Sequence, residues 1–346
     1  MTTRWDAHRD ELPTLLDAIG RTPLVRLQRV TPEGVDVLAK VEWYGPTGSV
    51  KDRIYAHMLA RAEERGELRA GMTIIECTTG NAGIACAAAA AIKGYDCVVV
   101  MPEGMSPERK AMIAGYGAEL VLTPGAGTDI DLALSRMREI RDADPDRFFF
   151  PGEFENPDNP AAQEASGVEI WEQAGGRVDA VVASQGTGGW ITGVARALKR
   201  LGPDVVAYAV EPAECPLISE RRWGTHGVPG IGDGIVAPNL DLGAIDGIVT
   251  VDTAEALDTA RRLAREEGML CGPSSGINVA AVFKVAAKHP ELRRIATVVP
   301  DTGQRYLSGE LFGEGPEVEE PERDHTMDGA TISQLDAHRA RLEFIA

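Results

Sequence analysis

Short runs of β-branched residues alternate with alanine-rich stretches of helical length along most of this sequence, and that alternation restricts the fold more than any other feature. In the first half, residues 73–76, 96–101 and 119–122 are predicted strands, and residues 84–93 and 106–115 are predicted helices. A strand, helix, strand order that repeats in this way is typical of βαβ units around a parallel sheet.

The second half of the chain repeats the pattern. Its predicted strands are residues 179–183, 205–210, 247–251 and 294–299. One predicted helix ends at Arg200, a second spans residues 254–267, and a third lies at residues 277–289. The sequence therefore predicts an α/β fold with two lobes, each a mostly parallel sheet flanked by helices. The 346 residues are also more than one hydrophobic core usually supports.

The charge balance narrows the range of partners. Lysine and arginine number 35 against 53 aspartate and glutamate residues, which leaves a formal net charge of −18. A surface this acidic repels nucleic-acid phosphates and anionic lipid headgroups, so neither nucleic acid nor a membrane is an expected partner. The most apolar tracts are interrupted by charge or glycine before they reach the length that a bilayer requires.

The cysteine and histidine patterns indicate a reduced chain without a metal site. The five cysteines form no C-x-x-C pair and are odd in number, and the six histidines show no paired ligand spacing. The first residues lack the basic and then apolar order of a signal peptide. The sequence therefore predicts a cytoplasmic protein.

The clearest glycine-rich loop covers residues 184–193, between a β-branched run and a predicted helix. Glycines let the backbone approach an anion closely, and the free N–H groups at the start of a helix favour a phosphate. The loop is not a dinucleotide fingerprint, because Ile191 stands where the third glycine would be. Taken alone, the loop is equally compatible with a tight turn that binds no ligand.

Two further segments carry reactive or polar groups. The loop at residues 77–83 also leads from a strand into a helix, and its hydroxyl, amide and backbone N–H groups suit a small carboxylate. Lys51 follows a turn that begins with Gly45 and Pro46. Most lysines are solvated surface charges, but a lysine held in a cleft can lose its proton and form an imine with an aldehyde.

These segments and several other short motifs, in this order, resemble the cysteine synthase and cystathionine β-synthase family of pyridoxal-phosphate enzymes, which have fold type II. The resemblance covers residues 12–312. The other motifs that carry it are GRTPL at residues 20–24, FENPDNPAA at 154–162, PGIG at 229–232, GPSSG at 272–276 and PDTGQRY at 300–306.

The resemblance implies a role for each matching residue. Lys51 would be the Schiff-base lysine that also moves the Cα proton, Asn81 would hydrogen-bond the ring hydroxyl of the cofactor, and Ser274 would face the pyridine nitrogen. Ser274 could also be a helix N-cap. The residues implied to cradle the phosphate are Gly186, Thr187, Gly188 and Gly189. Those implied to line the substrate carboxylate site are Thr78, Thr79, Gly80 and Asn81.

Three residues depart from the family pattern inside these motifs. Ala82 stands where the family usually has threonine, and Trp190 replaces a threonine that usually helps to hold the phosphate, a change that packing explains best. Glu153 stands where cysteine synthases commonly have glutamine beside the substrate carboxylate. A negative charge at this position would repel an anionic substrate unless Glu153 is protonated or turned away.

The resemblance implies an enzyme that binds pyridoxal 5′-phosphate and acts at Cβ of an amino acid like L-serine or L-cysteine. The expected reaction is α,β-elimination followed by β-replacement with a sulfur nucleophile, sulfide or a thiol. Two alternatives stay open. One is an L-cysteine desulfhydrase, which releases hydrogen sulfide, pyruvate and ammonia. The other is thioether formation as in cystathionine β-synthase, because residues 266–272 resemble that branch of the family. The family also implies a homodimer.

The resemblance further implies how the chain is divided. Residues 12–42 and 157–312 would form a larger domain that binds the cofactor phosphate, and residues 43–156 a smaller, substrate-side domain that carries Lys51 and the Asn81 loop. Residues 313–346 contain nine acidic residues against three arginines and are predicted to be an acidic C-terminal tail.

Overall fold

Two β-sheets with helices packed on their faces make up the fold. The structure is a computed structural model and describes residues 10–78, 80–126, 129–309, 311–312 and 327–346. The strands are β1 (Leu24–Arg26), β2 (Asp36–Val41), β3 (Thr73–Cys77), β4 (Asp96–Pro102), β5 (Glu119–Thr123), β6 (Phe148–Phe149), β7 (Ala180–Ser184), β8 (Val206–Pro212), β9 (Gly247–Val251), β10 (Arg294–Val299) and β11 (Glu343–Ile345).

The α-helices follow most of these strands in the chain. Within the described residues they are α1 (Lys51–Glu64), α2 (Asn81–Lys93), α3 (Pro107–Gly115), α4 (Ile130–Ala143), α5 (Asp158–Gln173), α6 (Gly189–Leu201), α7 (Thr253–Glu267), α8 (Pro273–Lys288) and α9 (Gly329–Arg339). Short 3₁₀ helices cover Leu15–Ala18, Glu42–Tyr44, Leu242–Ala244 and Gly303–Tyr306.

Both sheets are mostly parallel, as the sequence predicts. The larger sheet has the strand order β1-β2-β10-β7-β8-β9-β11, and every neighbouring pair is parallel except β1 with β2. The smaller sheet has the order β5-β4-β3-β6 and is parallel throughout. The predicted α/β fold with two parallel-sheet lobes is confirmed.

The smaller sheet is buried on both faces, which explains its continuous apolar strands. Successive side chains of a strand point to opposite faces. Ile74 and Val99 accordingly belong to the cluster under α1 and α2, whereas Ile75 and Val100 belong to the cluster under α4. Such two-sided burial is the usual setting of parallel strands.

Local sequence signals set the bounds of several helices. The alanine run of α2 favours a helix, and Gly94 ends it in the left-handed conformation (φ +79°) that glycine adopts without strain. At the start of α7 the Asp252 carboxylate accepts a hydrogen bond from the Glu255 N–H group, which is an N-cap. Helices α7 and α8 cover one face of the larger sheet, and α5 and α6 cover the other.

The C-terminal segment adds an edge strand to the larger sheet. Strand β11 pairs in parallel with β9, with Phe344 opposite Ile248, and Leu335 of α9 is buried. A strand of three residues is too short for its period to show in the sequence, and none was predicted there. Of the predicted acidic tail, residues 313–326 lie outside the described residues. Among the described helices, none has the length and apolarity needed to cross a membrane.

Candidate active site

The carboxyl ends of β3, β7 and β10 meet at a cleft between the two sheets, where loops of parallel sheets commonly bind ligands. The residues that line this cleft are Val50, Lys51, Ile54, Asn81, Asn159, Gln163, Ser184, Gly186, Thr187, Gly188, Trp190, Pro229, Gly230, Ile231, Ser274, Val298 and Pro300. The fold thus brings six of the predicted site residues together from distant parts of the chain: Lys51, Asn81, Gly186, Thr187, Gly188 and Ser274.

Lys51 is the first residue of α1, and its side chain forms an ion pair with Glu153. The distance from Lys51 Nζ to Glu153 Oε2 is 2.6 Å, and the Glu153 side chain is only 3% exposed. Burial raises the pKa of the Glu153 carboxyl, and the charge and hydrogen bond of Lys51 oppose that rise. Glu153 is therefore neither turned away nor solvated, and its charge depends on that of Lys51.

Two more buried carboxyl groups surround this pair. Burial and the Glu153 charge raise the pKa of Glu76 to about 8, even though Glu76 accepts hydrogen bonds from the Tyr55 hydroxyl and the Cys77 N–H group, each 2.9 Å long. Burial likewise raises the pKa of Asp233 to about 7, against the nearby charge of Lys51. Neither Glu76 nor Asp233 was among the predicted site residues, because acidic residues are common and their burial is not visible in a sequence.

The glycine-rich loop after β7 forms a cradle that side chains would fill. A Cβ atom on Gly186 would lie 2.7 Å from the Gly230 carbonyl oxygen, and one on Gly189 would lie 1.9 Å from Asn159 Oδ1. Gly188 has a φ of +74°, which few other residues adopt. The cradle opens at the N-terminus of α6, whose free N–H groups and dipole suit a phosphate group.

Asn81, the first residue of α2, is held from the opposite side of the cleft. Its amide donates to Asp301 Oδ2 at 2.6 Å, and its carbonyl oxygen accepts from Arg305 Nη1 at 2.6 Å. The Tyr306 hydroxyl also donates to Asp301 Oδ2, at 2.5 Å. The PDTGQRY motif therefore positions Asn81, a contact that the motif itself could not reveal.

The loop before α2 is tightly packed. The Thr78 hydroxyl accepts a 2.9 Å hydrogen bond from the Gly80 N–H group, and Thr78 does not line the cleft. Gly80 has a φ of +145°, and a Cβ atom there would lie 2.4 Å from Cδ of the buried Arg109. Ala82 is 2% exposed and packs in the core under α1 and α2. The predicted site residue Thr79 lies outside the described residues.

Ser274 and Trp190 lie near the glycine cradle. Helix α8 begins at Pro273, and its N-cap is Gly272. The alternative assignment of Ser274 as the N-cap is therefore wrong, because the helix starts before the apolar pattern that begins at Ile277 in the sequence. Trp190 lines the cleft and packs in the core with α5 and α6, in keeping with the packing explanation for this residue.

A lysine and a glycine cradle that line the same cleft are features of an enzyme that can bind a phosphorylated aldehyde cofactor. The donor set fits pyridoxal phosphate: an amine at Lys51, N–H groups at the start of α6, and hydroxyl and amide side chains at Ser274 and Asn81.

Comparisons with known proteins agree with this class. The family model described as pyridoxal-phosphate dependent enzyme matches residues 15–301. The cysteine synthase of Haemophilus influenzae is 46% identical over 305 residues, which cover 85% of this chain and 96% of that protein. The chain therefore belongs to the cysteine synthase family of pyridoxal-phosphate-dependent enzymes.

Solved structures show the same fold. The structure of an O-ureido-L-serine synthase has a TM-score of 0.81 and 41% identity, covering 88% of this chain and 96% of that chain. A hydrogen sulfide-producing enzyme from Fusobacterium nucleatum has a TM-score of 0.82 and 32% identity, covering 86% of this chain and 100% of that chain.

Proposed function

We propose that this enzyme binds pyridoxal 5′-phosphate through Lys51 and acts at Cβ of an amino acid like L-serine or L-cysteine. The proposed reaction is α,β-elimination followed by β-replacement with a sulfur nucleophile, and it would suit the Haemophilus influenzae relative's name, cysteine synthase. The observation that carries the proposal is the position of Lys51, in one cleft with the glycine cradle.

Each group in the cleft has a part in this reaction. When bound, the cofactor supplies an aldehyde for amino groups and a conjugated ring that accepts the electron pair released at Cα. Lys51 would hold the aldehyde in the resting enzyme and would take the Cα proton of the substrate. The backbone of Gly186, Thr187, Gly188 and Gly189, at the start of α6, would hold the phosphate.

Asn81 and Ser274 orient the cofactor ring in this account. Asn81 would hydrogen-bond the ring hydroxyl from a side chain that Asp301 and Arg305 already fix, so it is preorganised. Ser274 lines the cleft and would face the pyridine nitrogen. Thr79, Gly80 and Asn81 would bind the substrate carboxylate through the loop that leads into α2, and Thr78 would support this loop through the hydrogen bond that it accepts from the Gly80 N–H group.

A second candidate function is that of an L-cysteine desulfhydrase. The observation that favours it is the buried Glu153 carboxyl at 2.6 Å from Lys51, where cysteine synthases commonly have an uncharged glutamine. A negative charge at the substrate end of the cleft disfavours capture of anionic hydrosulfide, so elimination would continue to pyruvate, ammonia and sulfide.

The organisation of the enzyme forms part of the same proposal. Residues 12–42 and 157–312 form the larger domain, with six strands of the seven-stranded sheet, and residues 43–156 form the smaller domain around the four-stranded sheet. The seventh strand of the larger sheet, β11, lies beyond these ranges. The family resemblance supports a homodimer. A chain of net charge −18 without a disulfide among its five cysteines, which are all buried, suits the cytoplasm.

Substrate comparison tests the proposal. The cofactor-loaded enzyme is given O-acetyl-L-serine, O-phospho-L-serine or L-cysteine, with and without sulfide, and cysteine, pyruvate and sulfide are measured. Cysteine formed from an activated serine and sulfide supports replacement, and steady sulfide and pyruvate from L-cysteine support the desulfhydrase. The matched control is Lys51→Ala, which should abolish both reactions. Turnover that persists in this variant contradicts the mechanism.

A further inference from the structure

Hydrogen bonds to the Glu153 backbone hold one side of the Lys51–Glu153 ion pair in place. The Glu153 carbonyl oxygen accepts hydrogen bonds from the buried amides of Asn159, at 2.6 Å, and Asn239, at 2.9 Å. Asn159 lies in α5, and Asn239 lies in the loop before the 3₁₀ helix Leu242–Ala244. Two separate segments therefore hold the backbone that carries the Glu153 carboxyl. The side chain then reaches Lys51 Nζ at 2.6 Å, the atom that takes the Cα proton in the proposed reaction.

The groups that face Glu153 are mostly acidic or neutral. Glu76 faces it from β3 and Asp233 from the loop after β8, and burial together with the Glu153 charge raises the pKa of each of these two carboxyl groups. Burial and the Glu153 charge also raise the pKa of three neighbours, which are Tyr55 of α1, Cys77 of β3 and Cys86 of α2. Among the described residues, Lys51 is the cation that acts on the Glu153 carboxylate.

This arrangement couples the protons of the two side chains. Lys51 must be neutral before it can accept the Cα proton. A neutral Lys51 would leave Glu153 as a buried anion without a counter-charge, which is costly in a low-dielectric site. The Glu153 carboxylate, 2.6 Å from Lys51 Nζ, is placed to accept the proton that Lys51 gives up.

We propose that Glu153 is a catalytic acid that protonates the sulfur leaving Cβ of a cysteine-type substrate. The inference rests on the proposed function and identifies the class of leaving group that the site accepts. In this step the Cα proton moves to Lys51, and the electron pair left at Cα forms the Cα=Cβ double bond. The Cβ–S bond breaks, its electron pair leaves with sulfur, and the Glu153 proton joins the sulfur as hydrogen sulfide forms.

The step leaves Lys51 positive and Glu153 negative, which is the ion pair that the structure shows at 2.6 Å. A proton that passes from Lys51 to Glu153 across this contact restores the starting state. No other reactant is needed, and the net result is transfer of the Cα proton to the leaving sulfur. Acetate leaves as a stable anion without an acid, so an activated serine does not depend on Glu153.

Glu153→Gln is the decisive variant, because it removes the acid and keeps the shape. We expect sulfide release from L-cysteine to lose about 10²-fold or more in kcat, the usual contribution of a general acid. Elimination of acetate from O-acetyl-L-serine should change less than about threefold, because acetate leaves Cβ without a general acid. The matched control, Glu155→Gln, removes an exposed carboxyl two residues along the same loop and should leave both rates unchanged.

A readout without turnover separates a proton role from a structural one. In the apoenzyme of the Glu153→Gln variant, acetylation of Lys51, followed by peptide mass spectrometry, should be faster than in the wild type, because Lys51 has lost its carboxylate partner. Circular dichroism should be unchanged.

The outcomes distinguish the two claims. Loss of cysteine turnover alone supports the inference. Two results overturn the inference: cysteine turnover that is retained in Glu153→Gln, or an equal loss of turnover with both substrates. In either case, elimination from O-acetyl-L-serine by the wild type still supports the proposed function. A wild-type enzyme that is inactive with all these substrates overturns both.

Discussion

The side-chain amide of Asn81 donates a 2.6 Å hydrogen bond to the Asp301 carboxylate, although the two residues lie 220 positions apart. Asn81 begins α2 beside the smaller sheet, and Asp301 follows β10 of the larger sheet. Arg305 completes the connection, because its guanidinium donates to both the Asn81 side chain and the Thr47 carbonyl oxygen at 2.6 Å. The residue expected to orient the cofactor is thus fixed by contacts between the two sheets.

Asp301→Ala should destabilise the protein. The substitution leaves the Asn81 amide and the buried Tyr306 hydroxyl without their acceptor, and each unsatisfied group costs about 1–3 kcal/mol. Urea unfolding should show a lower free energy of unfolding. Tyr306→Phe is the control, since it removes one donor and leaves no orphan on Asn81, so its effect should be smaller. An Asp301→Ala variant as stable as the wild type would contradict this account of the contact.

Gly189→Ala should weaken cofactor binding. The new methyl group would lie 1.9 Å from Asn159 Oδ1, so Asn159 must move, and its amide also bonds the Glu153 carbonyl oxygen and the Thr187 hydroxyl. Titration of the apoenzyme with pyridoxal phosphate, followed by fluorescence, should give a Kd at least about tenfold higher, a change of about 1.4 kcal/mol. Gly115→Ala, a helix-end position with nothing within 4 Å, should leave the Kd unchanged.

Lys51→Ala should make stability depend on pH through Glu153. Burial raises the pKa of Glu153 and Lys51 opposes the rise, so removal of Lys51 raises the pKa further above its unfolded value. A group with a raised folded pKa stabilises the protein below its unfolded pKa, and this stability is lost as pH rises through the folded pKa.

The unfolding free energy of Lys51→Ala should therefore fall as the pH rises above about 4.3, the pKa of a glutamate in the unfolded chain. Denaturant unfolding at several pH values measures it. The double variant Lys51→Ala/Glu153→Gln should lack this fall relative to the wild type. The same pH slope in both variants would place the titrating group elsewhere.

The ion cluster between α1 and α5 should support stability at neutral pH. Hydrogen bonds and charge from Arg53, with help from Lys40, lower the pKa of Glu169 to about 2 despite its burial. A lowered pKa adds stability above the unfolded value, and this stability is lost as pH falls from about 4.5 toward 2. Glu169→Gln should lose up to about 3 kcal/mol at pH 7 and little at pH 2.

The matched control on the same helix is Glu164→Gln, which breaks an ion pair with Arg200 whose side chain is 57% exposed. Such surface pairs contribute about 0–1 kcal/mol. Equal losses in the two variants at pH 7 would show that the Glu169 cluster has no special contribution.

Strand periods carry most of the information that the sequence contains about this fold. The predicted strand at residues 247–251 coincides with β9, and the one at residues 294–299 coincides with β10. Helix starts are less visible: α8 begins at Pro273, before the apolar pattern starts at Ile277. The edge strand β11 pairs with a partner almost a hundred residues earlier, and a local period cannot indicate such a pairing.

The candidate site also divides into features that the sequence predicts and features that only the fold shows. The order of the motifs predicts Lys51 and the glycine cradle as site residues, because the backbone turns around them need particular residues. Burial and pairing depend on the assembled fold, so the contact of Lys51 with Glu153 and the raised pKa of Asp233 follow from the structure. For Glu153 the sequence indicates only an unusual charge. The fold shows that this charge lies against the Lys51 amine.

Reductive trapping of the cofactor tests the central claim most directly. The purified enzyme, loaded with pyridoxal phosphate, is reduced with borohydride and digested, and the labelled peptide is identified by mass spectrometry. The account predicts a single phosphopyridoxyl group on Lys51, and no label in Lys51→Ala. A label on another lysine, or full turnover by an enzyme that carries no label at Lys51, would contradict it.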